Sequence, residues 1–119
     1  MIQVTSHMRI LLHVQPIDFR KGIDGIAAVC RGALGEDPME GSLFVFINRG
    51  RSAVKLLVYD GQGMWLMQKR LSRGKFRWWP SGGEKSSRHL AVHELQLLLW
   101  NGDMRSAVTE PMWKPLNVT

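Results

Sequence analysis

The sequence predicts an α+β fold: an antiparallel β-meander of about four to five strands with two helices packed on it, in a single domain over residues 1–119. Between residues 43 and 79, short runs rich in branched and aromatic side chains alternate with Gly, Asp, Asn and Ser turn residues. Residues 18–34 and 89–100 instead carry apolar residues at spacings of three and four, the period of a helix. A chain of 119 residues suits one core that needs neither metal nor disulfide, and 45% hydrophobic and 22% charged residues are ordinary for a globular protein.

Taken in order, residues 8–14 (MRILLHV) form an apolar run that Pro16 stops, which predicts a strand. In residues 18–34, Phe19, Ile23, Ile26, Cys30 and Ala33 share one helical face. Asp18 is the candidate N-cap, although Gly22, Gly25 and Gly32 weaken a helix, and a start after Gly22 is the alternative. Gly35 and Pro38 end the helix. Residues 43–47 (LFVFI), without a charge, predict a central strand buried on both faces. Residues 53–59 and 64–71 predict two strands joined by the turn Asp60-Gly61-Gln62-Gly63, whose residue types tolerate positive φ. A second turn at residues 72–75 leads to a last short strand at residues 76–79, closed by Pro80.

Residues 81–87 (SGGEKSS) read as a flexible loop, and residues 89–100 as the second helix, ended by Asn101-Gly102. Both helices are expected to cover one face of the sheet. Trp113 is expected to dock on the domain, with a loosely ordered tail from about residue 114.

The net charge of +6 is concentrated. Residues 49–88 hold ten Lys or Arg and two acids, a local charge of +8, while the other 79 residues hold six bases and eight acids. The bases are interleaved with Trp and Phe rather than with acids, which favours a polyanion-binding surface over a merely solvated face. Arg49, Arg51, Lys69, Arg70, Arg73, Lys75 and Arg77 are the candidate phosphate contacts. Trp78 and Trp79 are candidate partner contacts, because neighbours on a strand point to opposite faces and cannot share one core. One of the pair must meet solvent, the sheet rim, a helix on the other face or a partner; an exposed Trp among these bases would suit stacking or protein docking.

Catalytic and metal readings are weaker. His89 and His93 stand four apart on the expected helix, but the order is HxxxHE and neither His7 nor His13 nominates a third ligand. Asp18, Asp24, Asp60 and Glu94 are the acids that a Mg²⁺ cluster would need, yet Asp18 and Asp60 serve as cap and turn residues. Cys30, the single cysteine, reads as a small buried hydrophobe in a reducing compartment. Gly22-Ile23-Asp24-Gly25 matches a GxxG clamp but lies in an apolar helical pattern with an acid at its centre. The expectation is a protein without enzymatic activity, metal or cofactor. The first residues have too short an apolar run to span a membrane and no cleavage site of small residues, which predicts a cytoplasmic location.

The motifs in order, Asp18-Phe19-Arg20-Lys21-Gly22, Leu43-Phe44-Val45-Phe46, residues 55–63 (KLLVYDGQG), Trp65-Leu66, Lys69-Arg70-Leu71, Gly74, Phe76 and residues 94–99 (ELQLLL), resemble the small TnpB-type accessory protein of the bacterial insertion-sequence family numbered sixty-six. This is not the RNA-guided nuclease of the same name. The likeness runs from about Met1 to Trp113. It departs at His89-Leu90-Ala91, where relatives usually place a Ser or Thr cap before the second helix. Such proteins are encoded beside a separate transposase that carries the catalytic acids. The resemblance therefore implies a non-catalytic accessory protein for DNA transposition. The partners expected from it are the transposase and other proteins of the same element; the basic stretch adds the DNA of the element ends, and further copies of the chain and no membrane complete the expectation. A protein-binding adaptor that docks the transposase without touching DNA is the alternative.

Overall fold

The strand at Leu43–Ile47, uncharged and buried along its whole length, is the middle of a five-stranded sheet. The computed structural model describes residues 8–81 and 83–102. In chain order the elements are β1 (Ile10–His13), α1 (Ile23–Gly32), a 3₁₀ turn (Pro38–Glu40), β2 (Leu43–Ile47), β3 (Ala53–Tyr59), β4 (Met64–Arg70), β5 (Ser87–Leu90) and α2 (Val92–Leu99). The strands lie side by side as β4-β3-β2-β1-β5.

An α+β architecture in one unit is found, but the sheet is mixed rather than purely antiparallel. Strands β2, β3 and β4 make the expected meander. The hairpin between β3 and β4 is built as its residues dictate: Gly61 takes φ +98°, and Asp60 Oδ1 accepts from the amides of Gln62 and Gly63 at 2.8 and 2.9 Å. Strand β1 joins β2 in parallel, because the crossover between them carries α1.

The two helices lie on opposite faces, which corrects the expectation that both cover one. Leu11, Phe44, Phe46 and Leu57 pack with Ile26, Ala27 and Cys30 of α1. Ile10, Leu12, Val45, Val54 and Val58 pack on the other face with Leu95 and Leu98 of α2. Strand alternation demands this: each buried strand offers apolar side chains in both directions, and each layer needs its own cover.

Three local expectations change. Asp18 does not cap α1, whose N-cap is Gly22; its Oδ1 accepts from the amide of Arg20 at 2.9 Å in a separate turn. Residues 76–79 do not form a strand. Phe76 and Trp78 both enter the α2-side core, so their alternation serves packing, not ladder pairing. The fifth strand forms instead at Ser87–Leu90, where the sequence suggested loop and helix, because β1 has an edge to satisfy and pairs antiparallel with it. As a result His89 lies on a strand and His93 on α2, so the two are not turn-neighbours on one helix. The expectations for Trp113 and the tail fall outside the described residues.

Candidate nucleic-acid interface

The loop between β2 and β3 is organised by one side chain. Asn48 Oδ1 accepts from the amides of Ser52 and Ala53 at 2.9 and 3.1 Å, and its Nδ2 donates to the Ser52 hydroxyl at 3.1 Å. This closes the loop tightly enough that Arg51 adopts φ +59°. The segment after β4 is then sewn to it: the amide of Leu71 donates to the carbonyl of Ser52, and that of Phe76 to the carbonyl of Arg51, at 2.9 and 2.8 Å.

A second asparagine fixes the same segment from the other side. Helix α2 ends in a Schellman motif with Asn101 at φ +55°; the amides of Asn101 and Gly102 donate to the carbonyls of Leu98 and Leu97. A Cβ at residue 102 would lie 2.3 Å from the Leu97 side chain, which would have to move to admit it, so glycine fits this turn without rearrangement. The buried Asn101 side chain accepts from the amide of Arg77 at 2.7 Å and donates to the carbonyl of Lys75 at 3.2 Å. In the sequence Asn101 signals only a helix stop: asparagine beside glycine marks the left-handed turn but not the long-range bonds of its side chain.

Six of the seven candidate cations are thereby gathered at one end of the sheet. Arg49 and Arg51 sit on the β2–β3 loop, Arg70 ends β4 opposite Ala53, and Arg73, Lys75 and Arg77 follow on the sewn segment; all are exposed. Arg49, Arg51, Arg70, Arg73 and Lys75 make no ion pair among the described residues, whereas Arg9, Arg20 and Arg88 pair with Glu36, Asp18 and Glu94. The nearby acid Asp18 is held well below the usual carboxylate range, chiefly by the Arg20 side chain and then by the Arg20 amide, with a smaller contribution from Arg49.

Lys69 stands apart. Its partner across the ladder is Val54, so it points to the α2 side, whereas Arg70 points to the α1 side. Its ammonium donates to the carbonyl of Leu99 at the end of α2 and lies 5.6 Å from the centroid of the Trp100 ring.

The tryptophan pair is accommodated by a sheet covered on both faces. Trp78 is buried in the α2-side core with the Arg88 guanidinium 5.9 Å from its ring centroid, which corrects its nomination as a partner contact. Trp79 is half-buried, and its indole N–H donates to the carbonyl of Val14 at 2.8 Å. Among the described residues the open tryptophan rings are Trp65 and Trp100, 43% and 65% exposed. Trp100 borders an apolar groove with Leu56, Met67 and Leu99.

Among the described residues no group of three or more His, Cys, Asp or Glu is assembled as a metal site, and no helix is long and apolar enough to cross a membrane. Burial pushes the Cys30 thiol up to about 12, which keeps it a protonated core side chain.

Comparison with known proteins gives a family match over residues 8–108, to the model described as IS66 Orf2 like protein. Two proteins of Sinorhizobium fredii, the uncharacterized proteins y4jC and y4hO, are each 33% identical over 118 residues, covering 99% of this chain and 99% of theirs. No solved structure matches.

Proposed function

The chain belongs to the IS66 Orf2 like family of insertion-sequence accessory proteins, and from that premise we propose that it assists DNA transposition without catalysis, contacting DNA or the transposase–DNA complex through its basic end. The observation that carries this reading is the grouping of Arg49, Arg51, Arg70, Arg73, Lys75 and Arg77 at one end of the sheet. Two asparagines, Asn48 and Asn101, brace the backbone that presents five of these six cations, so little order remains to be created on binding. Exposed cations on a braced frame suit phosphates, which fix position without reading sequence. The site of action in this reading is the cytoplasm, where the element and its transposase meet.

The test is a gel shift on the terminal repeats of the element at low salt, with and without the transposase. Retarded DNA that charge reversal at Arg73 and Lys75 abolishes is the expected result. Free DNA under every condition overturns the reading.

A second reading, an adaptor that docks the transposase without touching DNA, is favoured by the exposed Trp65 and Trp100. It expects Trp100→Ala to abolish co-purification with the transposase while charge reversal at Arg73 and Lys75 leaves it intact.

A further inference from the structure

At the basic end a cleft of about 230 Å³ opens between the turn after β1 and the segment that follows β4. Its walls include Gln15, Pro16, Arg51, Trp79, Pro80 and Ser81. We propose that this cleft receives one unpaired base of a DNA strand, whose phosphates on either side are held by the surrounding arginines and lysine. The inference rests on the DNA reading above and deepens it from DNA in general to single-stranded or frayed DNA.

The walls match a base in both of its chemistries. Trp79 and the two prolines offer apolar surface to a ring face, and aromatic side chains take any base because every base has a π-face. The Gln15 amide and the Ser81 hydroxyl, both on exposed residues, offer donors and acceptors to a base edge. The volume lies below the roughly 300–1,000 Å³ of clefts that enclose a whole drug-sized ligand, so it suits a single ring system.

The cleft is preorganised. The Trp79 indole is held by its bond to the carbonyl of Val14, and the Val14 amide is itself bound to the carbonyl of Ser86 at 3.0 Å. Arg51 reaches the cleft from a left-handed conformation that glycine would adopt without strain, so an arginine here retains a strained backbone together with a cation at the rim.

Charge selects the occupant. Arg51 is on the wall of the cleft, and the segment that leads to its wall residue Trp79 carries Arg73, Lys75 and Arg77 and bonds to the Arg51 carbonyl through the Phe76 amide, so the cleft has a positive border that complements a polyanionic backbone. A duplex would meet that border but leave the cleft unfilled, because its bases are stacked and paired and must be flipped out at a cost.

The experiment measures fluorescence anisotropy of the full chain with a labelled DNA strand, its blunt duplex, the same strand bearing abasic sites, and the RNA of that sequence. The intact DNA strand is expected to bind more tightly than the duplex. Abasic sites are expected to weaken it by about 5- to 140-fold, the equivalent of the roughly 1–3 kcal/mol of one base–aromatic stack. Arg51→Gly, which suits the left-handed backbone, should keep the melting temperature and lose strand affinity more than duplex affinity. Equal affinity for strand and duplex, or abasic binding equal to intact binding, overturns the inference while leaving the DNA reading in place. Tighter binding of RNA than of DNA overturns the assignment to DNA. Binding to none of the four at low salt overturns the DNA reading itself and this inference with it. The duplex and abasic comparisons use the unaltered protein, so they decide the matter even if Arg51→Gly fails to fold.

Discussion

The ammonium of Lys55 donates to the backbone carbonyl of Phe19 at 2.8 Å and lies 4.9 Å from the centroid of the same residue's ring. A second bond reaches the carbonyl of Lys21 at 3.2 Å. Lys55 is in the middle of β3 and 7% exposed, so two carbonyls and a π-face stand in for the water that a buried cation loses. The contact anchors the turn that carries Asp18 and Arg20, and with it the start of α1 at Gly22.

Replacing this cation by a side chain of similar volume isolates its role. Lys55→Met should destabilise the domain by about 2 kcal/mol, the range for hydrogen bonds to a charged group, lowering the melting temperature by roughly 10 °C. A melting temperature equal to that of the unaltered protein would mean that the two carbonyls find water at no cost.

Lys69 and Arg73 should separate stability from DNA affinity. Lys69→Gln removes the ammonium from the carbonyl of Leu99 and the Trp100 ring, so it should lower stability by about 1 kcal/mol and leave DNA affinity nearly unchanged. Arg73→Gln should do the reverse. With six cations at the end of the sheet, log affinity should fall against log salt with a slope of about −5, from roughly 0.9 per phosphate contact. The Arg73→Gln slope should be shallower by about one. A slope altered by Lys69→Gln instead would reverse the assignment.

Asp60 predicts the shape of the acid limb. The Trp65 indole N–H at 2.7 Å, and then the amides of Gln62 and Gly63, hold its carboxyl at about 2, below the ordinary 3.8. The folded value lies below the unfolded one, so the stabilisation is complete above about pH 4 and fades as the pH falls toward 2. Asp60→Asn should therefore melt at a lower temperature at pH 7 and lose less on acidification between pH 4 and 2. Thermal melts of the two proteins that run parallel across this window would refute the linkage.

Helix α2 starts with half of a capping box. Glu94 Oε1 accepts from the amide of Ala91 at 2.9 Å, but the alanine at the N-cap has no oxygen to return the bond. Ala91→Ser should supply it and stabilise the domain by about 1 kcal/mol, read as a rise in the urea midpoint with an unchanged slope. No rise would indicate that Glu94, also bonded to Arg88 at 3.4 Å, already satisfies this end of the helix.

Local chemistry was enough to foresee β2, β3, the hairpin at Asp60 and the apolar face of α1. Strand period, turn residues and helical spacing all involve near neighbours in the chain. The cations of the candidate site were also legible, since a charge count needs no fold. Strand β5 was not, because Ser87–Leu90 has little strand character of its own and forms by pairing with β1, far away in sequence. The segment at residues 76–79 erred in the other direction, alternating like a strand while its amides bond to Arg51 and Asn101.

By itself the sequence determined the composition of this protein's surface and core: an α+β chain with its excess charge between residues 49 and 88 and an unpaired cysteine in an apolar pattern. Tertiary structure alone decided how those residues are shared out. It put the helices on opposite faces, turned Lys69 to the end of α2, buried Trp78, and used Asn48 and Asn101 to brace the basic end. The physical reason is that each of these outcomes is a bond or a contact between distant segments, and periodicity carries no information about which distant group will satisfy a given one.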